Sequence, residues 1–338
     1  MNITNESKLI LKNKNIFFKK KILFSGNIQD SLPEILKTKL SYIHIQKYHF
    51  LKYFLKTNKK KIFTNFLVTK KMLKNCNTVI YFFSKNKKET FFQIKNIASL
   101  LKKKEKIFLI GENKSGINSF VKYFKKEIFF EKITYGRKCT LYIHNIKEKI
   151  SFELNNFYKI HYWKKTPIIF LPGMFGYNKL DLGSKFLIST FKKNKLFNKK
   201  VLDIGSGSGF LSIAILKIMQ KNKITLSESC LTSMKCCKKT FKLNNLYANF
   251  KISNIYSCIN KKFDLIISNP PIHNNLKKSL KFIKKMIYQS RLYLKKKGEL
   301  RLVINKSVSC NKYFIDNFYK FNILKENNFF KIYQGFKE

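Results

Sequence analysis

The segment VLDIGSGSG, residues 201–209, restricts the folds open to this chain more than any other feature. An apolar stretch precedes three glycines at alternate positions, and the apolar helix pattern FLSIAILKIM follows them. Glycine permits a tight turn and lets a ligand touch backbone N–H groups at a helix N-terminus. A strand, a glycine loop and a helix in this order, with Asp203 near the strand end, predict an α/β sheet. The ligand expected at the carboxyl ends of its strands is a nucleotide-like cofactor.

The rest of the second half repeats the alternation of strands and helices, which predicts βαβ units and a parallel sheet. The last two predicted strands follow each other with little helix between them, which favours an antiparallel edge. Strands are predicted over 199–205, 223–229, 248–253, 262–268, 298–305 and 329–336, and helices over 209–221, 230–244 and 276–294.

The first half has the same α/β rhythm without a comparable motif. Its glycines, including Gly26, Gly111 and Gly116, stand alone and are typical of turns. Strands are predicted over 22–27, 78–84, 107–113 and 135–146, and a helix over 89–105. The rhythm breaks over 155–170, and 338 residues favour two domains, so we predict domains 1–160 and 161–338.

Two polar positions follow the next strands of the second half. Glu228 lies 25 residues after Asp203, one βα unit further on, where a carboxylate can bind the two hydroxyls of a ribose. The following strand ends at Ser253 and Asn254, which we expect to meet the far edge of a purine.

The fourth strand of this half, FDLIIS, ends in Asn269, Pro270 and Pro271. The two prolines fix φ and offer carbonyls without N–H donors, so the backbone is rigid there. An amide oxygen beside a rigid carbonyl makes a pair of acceptors for an exocyclic NH₂ group on a flat base. Accepting both hydrogens draws the nitrogen lone pair out of ring conjugation and aims it at an electrophile.

The chain carries a formal net charge of +52, almost all of it from lysine, with arginine only at 137, 291 and 301. The chain is rich in Lys, Asn, Ile and Phe and poor in Ala. This composition is typical of proteins encoded by AT-rich genes, because AT-rich codons encode those four residues. Two interpretations stay open: a polyanionic partner, most plausibly RNA, or a lysine-rich surface without a specific role.

Composition also excludes several classes of protein. The seven cysteines are an odd number without a CxxC pair, so we expect neither a disulfide framework nor a metal site. Lysines interrupt every apolar stretch before the roughly 18 residues of a membrane span. The N-terminal residues resemble no secretory signal. We therefore expect a cytoplasmic protein without membrane or metal partners.

These motifs carry a resemblance to a known family. The second half resembles class I methyltransferases, with DIGSGSG as the S-adenosylmethionine loop and SNPP as the motif that binds the target amine. The whole chain resembles the ribosomal RNA small subunit methyltransferase C family, which methylates the exocyclic N2 of a guanine in 16S rRNA. The matching segments are ILFSGNIQDSLPEIL (22–36), LIGENKSGINS (109–119), YGRKCTLY (135–142), FLPGMFGYNKLDLGSKFLIST (170–190), VLDIGSGSGFLSIAI (201–215) and FDLIISNPPIHNNLKKSL (263–280).

The resemblance implies two tandem Rossmann-like class I methyltransferase domains, of which the first is degenerate. It implies S-adenosyl-L-methionine as cofactor and 16S rRNA or the small ribosomal subunit as partner. Asn269 and the Pro270 carbonyl would bind the guanine N2. Residues implied near the cofactor are Asp203, Gly205, Gly207 and Gly209 at its methionine part, Glu228 at the ribose, Asn254 at the adenine, and Asp181 and Ser184 at its amino acid end.

The resemblance also implies substrate contacts at Pro271 and the residues that follow it. Ile272 replaces an aromatic that the family usually has there, which leaves base stacking to His273 or Phe175. The first domain would serve in RNA binding or in support of the catalytic one, and we expect a monomer. Two other functions stay open: methylation of adenine N6 or a protein glutamine, and non-catalytic RNA binding in ribosome assembly.

Overall fold

The computed structural model describes residues 3–54, 61–191, 198–219, 221–271 and 276–338, with 276–279 described by their backbone alone. The chain divides into two compact units, Met1–Tyr158 and Lys159–Glu338. Over its described residues, each unit contains a mixed seven-stranded sheet. Within these same ranges, none of the helices has both the length and the apolar character needed to cross a membrane.

The first unit has strands in the order β3-β2-β1-β4-β5-β7-β6. All neighbours up to β5 are parallel, and β7 pairs antiparallel with both β5 and β6. The strands are β1 (Lys21–Gly26), β2 (Leu40–Ile45), β3 (Lys61–Thr64), β4 (Thr78–Phe82), β5 (Lys106–Glu112), β6 (Glu131–Gly136) and β7 (Cys139–Asn145). The helices are α1 (Asn5–Lys12), α2 (Leu32–Ile35), α3 (Lys70–Leu73), α4 (Lys87–Leu100) and α5 (Ile117–Tyr123).

The sheet of the first unit is buried on both faces, as the continuous apolar strands predict. Along β4, Val79 and Tyr81 pack into one core cluster, while Ile80 and Phe82 pack into the other. This alternation follows from the two-residue period of a strand. Both clusters are rich in isoleucine and phenylalanine, so the composition that supplies the lysines also supplies the cores.

The prediction of a single strand over 135–146 is wrong, because the chain turns within this segment. Strands β6 and β7 form a hairpin, and Arg137 and Lys138 occupy its tip with φ of 50° and 61°. A two-residue hairpin turn favours positive φ at both central positions, and its usual sequence signal is Asn-Gly or Asp-Gly. Arg-Lys lacks that signal, so the sequence conceals the turn.

The second unit has the strand order β12-β11-β10-β13-β14-β16-β15, with a separate antiparallel pair β8-β9. The strands are β8 (Lys159–Trp163), β9 (Thr166–Phe170), β10 (Lys200–Ile204), β11 (Lys223–Glu228), β12 (Asn249–Ile252), β13 (Phe263–Ser268), β14 (Leu294–Asn305), β15 (Lys320–Glu326) and β16 (Phe330–Phe336). The helices are α6 (Leu182–Ile188), α7 (Phe210–Ile218), α8 (Leu231–Leu243), α9 (Leu276–Tyr293) and α10 (Asn311–Ile315).

The antiparallel pairing of the last two predicted strands is confirmed, since β14 pairs antiparallel with β16. The strand at the edge is β15, which the sequence reading missed. Most of β15 is exposed. Its sequence KFNILKE therefore lacks the apolar run that marks a buried strand.

The two large sheets share one topology. In each, the first strand (β1 or β10) is third in the order. The second and third strands extend the sheet on one side of it and the fourth lies on its other side, so the chain order reverses at this strand. Ligands of open α/β sheets bind at the carboxyl ends of the strands beside such a reversal. The prediction of two tandem Rossmann-like domains is confirmed, and the topology directs attention to the residues after β10, β11 and β13.

Candidate active site

The glycine loop joins β10 to α7 at the centre of the second sheet. Gly205, Gly207 and Gly209 have φ of 69°, 56° and 81°, a region that side chains disfavour. A Cβ at Gly205 or Gly207 would meet none of the described residues within 4 Å. A Cβ at Gly209 would lie 2.8 Å from Cys237 Sγ. The first two glycines therefore leave room for a ligand against the backbone, and the third lets α7 pack on α8.

Glu228, the last residue of β11, is bonded to this loop. Its Oε2 accepts the N–H of Gly207 at 2.9 Å, and its Oε1 accepts the N–H of Cys230 at 2.8 Å. Glu228 is 9% exposed, and burial raises the pKa of its carboxyl against the opposing effect of these two N–H donors. Glu228 thus fixes the loop relative to the start of α8.

Asp203 lies beneath the same loop and is 1% exposed. Its Oδ2 accepts the hydroxyl of Ser212 at 2.6 Å. Burial raises the pKa of Asp203 to about 7, and the nearby Glu228 carboxyl acts in the same direction while Ser212 opposes it. Sequence reasoning missed Ser212, although a serine on an otherwise apolar helix face was a usable signal.

The raised pKa of Asp203 predicts a pH-dependent stability. The folded protein binds this proton more tightly than the unfolded chain, so the stabilisation is lost as the pH rises from about 4 to about 7. Between pH 5 and pH 8, we expect the free energy of unfolding of the native protein to fall relative to Asp203→Asn by on the order of 2–3 kcal/mol.

The single tryptophan, Trp163, makes this measurable because it packs against Phe210 at the start of α7, with ring centroids 6.1 Å apart. Denaturant unfolding followed by its fluorescence reports on the second unit. A difference between native and variant proteins that stays constant with pH would contradict the prediction.

Beyond β12 the chain makes a compact turn. The hydroxyls of Ser227 and Ser253 both donate to the carbonyl of Ile255, at 2.8 and 3.1 Å. The Asn254 N–H donates to the hydroxyl of Ser257 at 3.0 Å. The half-buried Asn254 is therefore held at the carboxyl ends of the strands, beside the one that carries Glu228.

Asn269 follows β13 at the same edge of the sheet. Its Nδ2 donates to Asp181 Oδ2 at 2.5 Å and to Ser184 Oγ at 2.9 Å. A carboxylate only accepts hydrogen bonds, so the contact with Asp181 fixes which end of the amide is the NH₂ group. Among the described residues, none donates to the Oδ1 of Asn269, which leaves this oxygen available as an acceptor.

The start of α6 brings Asp181 and Ser184 to Asn269. Asp181 is the N-cap of this helix, and its Oδ2 accepts the Ser184 N–H at 2.6 Å. A Cβ at Gly183 would lie 3.4 Å from Asn269 Nδ2 and 3.2 Å from Asp181 Oδ2, so glycine lets the helix approach closely. The predicted contact of Asp181 and Ser184 with the cofactor stays a prediction. Asp181 and Asn269 are 88 residues apart in the sequence, so no local sequence pattern predicts their contact.

The predicted substrate contacts are only partly described. Pro270 is buried and Pro271 is exposed at the end of β13. Phe175 lies between β9 and α6 and is 65% exposed, and its role in stacking stays a prediction. Ile272 and His273 lie outside the described residues, so the choice between His273 and Phe175 stays open.

The first unit lacks the polar residues of this site. Strand β1 begins at Lys21 and its counterpart β10 begins at Lys200. The fourth residue of the strand is Phe24 in the first unit and Asp203 in the second. The neighbouring strands begin opposite Lys21 and Lys200, at Leu40 and Lys223. Counting five residues from these places Ile45 where the second unit has Glu228.

The third position is set by β4 and β13. Tyr81 pairs with Ser25, as Ser268 pairs with Ile204, so Phe82 stands where the second unit has Asn269. Phe24, Ile45 and Phe82 are all buried in one core cluster of the first unit. Degeneracy of the first domain is therefore visible residue by residue.

The family models agree with this division. Residues 165–334 match the Methyltransferase small domain, and residues 7–161 match its N-terminal companion domain. The T. thermophilus 16S rRNA N2 G1207 methyltransferase, solved with AdoMet and guanosine, has a TM-score of 0.78. The match covers 94% of this chain and 88% of that one at 15% sequence identity, so the TM-score shows a shared fold. The fold and site define a class I methyltransferase built as two tandem domains.

Relatives over the full length narrow the class to a family. The ribosomal RNA small subunit methyltransferase C of Buchnera aphidicola subsp. Schizaphis graminum is 41% identical over 339 residues, covering 99% of both chains. That of Erwinia tasmaniensis is 32% identical over 334 residues, covering 99% of this chain and 97% of its own. The chain belongs to the ribosomal RNA small subunit methyltransferase C family.

Proposed function

We propose that this protein transfers the methyl group of S-adenosyl-L-methionine to the exocyclic N2 of a guanine in 16S rRNA. The observation that carries the proposal is the Asn269 amide, whose NH₂ end is held by Asp181 and Ser184 at the edge of the sheet that bears the glycine loop. Family membership and the names of the relatives support the same substrate.

The cofactor would lie along the ends of β10, β11 and β12. Gly205 and Gly207 fit this role because their missing side chains leave open space beside the backbone. Gly209 and Asp203 would support the loop at the methionine part, Glu228 would bind the ribose, and Asn254 would approach the adenine. Asp181 and Ser184 would lie near the amino acid end. When bound, the cofactor supplies an electrophilic methyl group on a sulfonium.

The protein's own contribution is positioning and electrostatics. Asn269 Oδ1 and the Pro270 carbonyl would accept the two hydrogens of the target amine, which orients its lone pair toward the electrophile. Holding the reacting atoms in this geometry removes much of the entropic barrier. Acceptors that are fixed before the reaction stabilise the positive charge that develops on the nitrogen as it bonds to the methyl carbon. The nitrogen then loses one proton, to water or to an acceptor. Pro271, Ile272, His273 and Phe175 would surround the base.

The test is to map methylated guanines in 16S rRNA from cells with and without this protein, and in rRNA treated with purified protein and cofactor. The proposal expects one N2-methylguanine that depends on the protein. Methyl groups found on adenine N6, or on protein glutamine in treated ribosomal subunits, would contradict it.

We further propose that the first unit serves in RNA binding or in support of the second, and that the lysine-rich surface contributes to substrate affinity. We also propose that the protein acts in the cytoplasm, on free 16S rRNA or the small subunit, and as a monomer. The net charge of +52 favours any polyanion, so the charge alone gives no specificity.

Salt dependence tests this contribution. With six to ten phosphate contacts, we expect RNA affinity to fall by roughly 10³–10⁵-fold between 50 and 200 mM salt. The informative quantity is the ratio of affinities for target rRNA and for an unrelated RNA of equal length. If the contacts are shaped by the substrate, this ratio stays well above one as salt weakens the non-specific binding.

Filter binding or fluorescence anisotropy at several salt concentrations gives both affinities. A ratio near one at every concentration would contradict a specific role for the lysines and would confine specificity to the pocket around Asn269.

A further inference from the structure

We propose that Asp181 is a positioning residue that holds the Asn269 amide in the one orientation that can accept the target amine. The inference rests on the proposed function and deepens it. Its basis is a triangle of contacts at a single carboxylate oxygen. Oδ2 of Asp181 accepts the Asn269 NH₂ group at 2.5 Å and the Ser184 N–H at 2.6 Å, and the Ser184 hydroxyl lies 2.9 Å from Asn269 Nδ2.

The chemistry of the amide explains why orientation matters. The two ends of an asparagine amide have nearly the same shape and opposite hydrogen-bonding character. Turned by 180°, the group would present NH₂ to the target amine, and a donor facing a donor cannot bind it. The same turn would place Oδ1 against the Asp181 carboxylate, where two acceptors repel. The carboxylate therefore selects the productive orientation, and a charged acceptor does so more strongly than a neutral one.

The helix that carries Asp181 is itself fixed near both ends. Gly183 allows α6 to approach Asn269 within van der Waals distance. Just beyond the other end, Arg301 Nη1 donates to the Thr190 carbonyl at 3.3 Å and to its hydroxyl at 3.1 Å. The Arg301 guanidinium also lies 4.3 Å from the ring centre of Phe191 and pairs with Glu299. These contacts of a buried arginine join the end of α6 to β14, which carries Arg301.

The experiment separates positioning of Asn269 from capping of the helix. Serine and asparagine both cap helices well. Asp181→Ser keeps a cap, but its acceptor ends one bond nearer the backbone and withdraws from Asn269. Asp181→Asn keeps an acceptor at the original reach. We expect Asp181→Ser to lower kcat by roughly 10- to 100-fold, and Asp181→Asn to recover most of that loss.

A second arm combines these variants with Asn269→Ala in single-turnover assays. If Asp181 acts through Asn269, then Asp181→Ser costs almost nothing further in the Asn269→Ala background. Calorimetry of cofactor binding accompanies each variant, and rates are measured at saturating cofactor, so a contact of Asp181 with the amino acid end of the cofactor is measured separately from its effect on Asn269. Equal kcat for the Ser and Asn variants at saturating cofactor, or additive losses in the double variant, would each overturn the inference.

The outcome is distinguishable from failure of the proposed function. That function fails if the native protein puts no methyl group on guanine N2 of 16S rRNA, whatever the variants do. The inference about Asp181 fails only on the ratios between the variants, which are measured on a native protein that is active.

Discussion

Asn269→Ala is expected to lower the turnover of methyl transfer by roughly 10²–10³-fold, the usual cost of losing one fixed electrostatic contact to the reacting group. The amide lies after β13, whereas the glycine loop and Glu228 lie after β10 and at the end of β11. The cofactor dissociation constant should therefore change little. Single-turnover methylation of a 16S rRNA substrate and calorimetry with S-adenosylmethionine give the two quantities.

The matched control makes the same chemical change at a neighbouring strand end. Asn254→Ala also removes an amide, but at the position predicted to face the adenine. We expect it to weaken cofactor binding and to leave the rate from the saturated complex largely intact. If Asn269→Ala kept near-native turnover, the assignment of Asn269 to the active site would be contradicted.

Gly207→Val is expected to abolish measurable cofactor binding while the second unit remains folded. The added side chain would fill the open space beside the loop, where a ligand must touch the backbone. A φ of 56° also disfavours a β-branched residue, so the loop is expected to change shape and its N–H to leave Glu228. Calorimetry measures the lost affinity, and Trp163 fluorescence confirms that the unit is folded.

Gly209→Ala separates the two uses of glycine in this loop. Its Cβ would lie 2.8 Å from Cys237 Sγ and 2.9 Å from the Phe241 ring. We expect this variant to lower the free energy of unfolding of the second unit, because the contact is with packed side chains.

The Gly207→Val prediction has its own contrary outcome. If this variant binds the cofactor with native affinity, the proposed position of the ligand is contradicted.

The parts of the fold that the sequence predicted are those with a local signal. The glycine loop after β10 and the proline pair after β13 are contiguous motifs, and buried parallel strands appear as apolar runs. Most of β15 is exposed and none of β6 is buried, so neither strand has a buried apolar run in its sequence. The hairpin at Arg137 and Lys138 uses residues that rarely mark such a turn.

The candidate site shows the same division between local and distant signals. Asp203, Glu228 and Asn269 were predicted because each follows or ends a recognisable strand. The contact between Asp181 and Asn269 was not predicted, since it depends on how α6 packs across the end of β13. Its only trace in the sequence is Gly183, whose need for a missing side chain becomes clear in three dimensions.

The two units of this chain can be compared directly at three equivalent positions. The second unit has Asp203, Glu228 and Asn269, and the first unit has Phe24, Ile45 and Phe82. Two sheets of identical strand order differ at these positions in whether the space under the loop is polar or filled with hydrocarbon. Buried carboxyls are a standing cost to a fold, and buried aromatic and aliphatic side chains are a gain. The second unit therefore keeps a polar site at a cost in stability that the first unit does not bear, which is the usual exchange between stability and function.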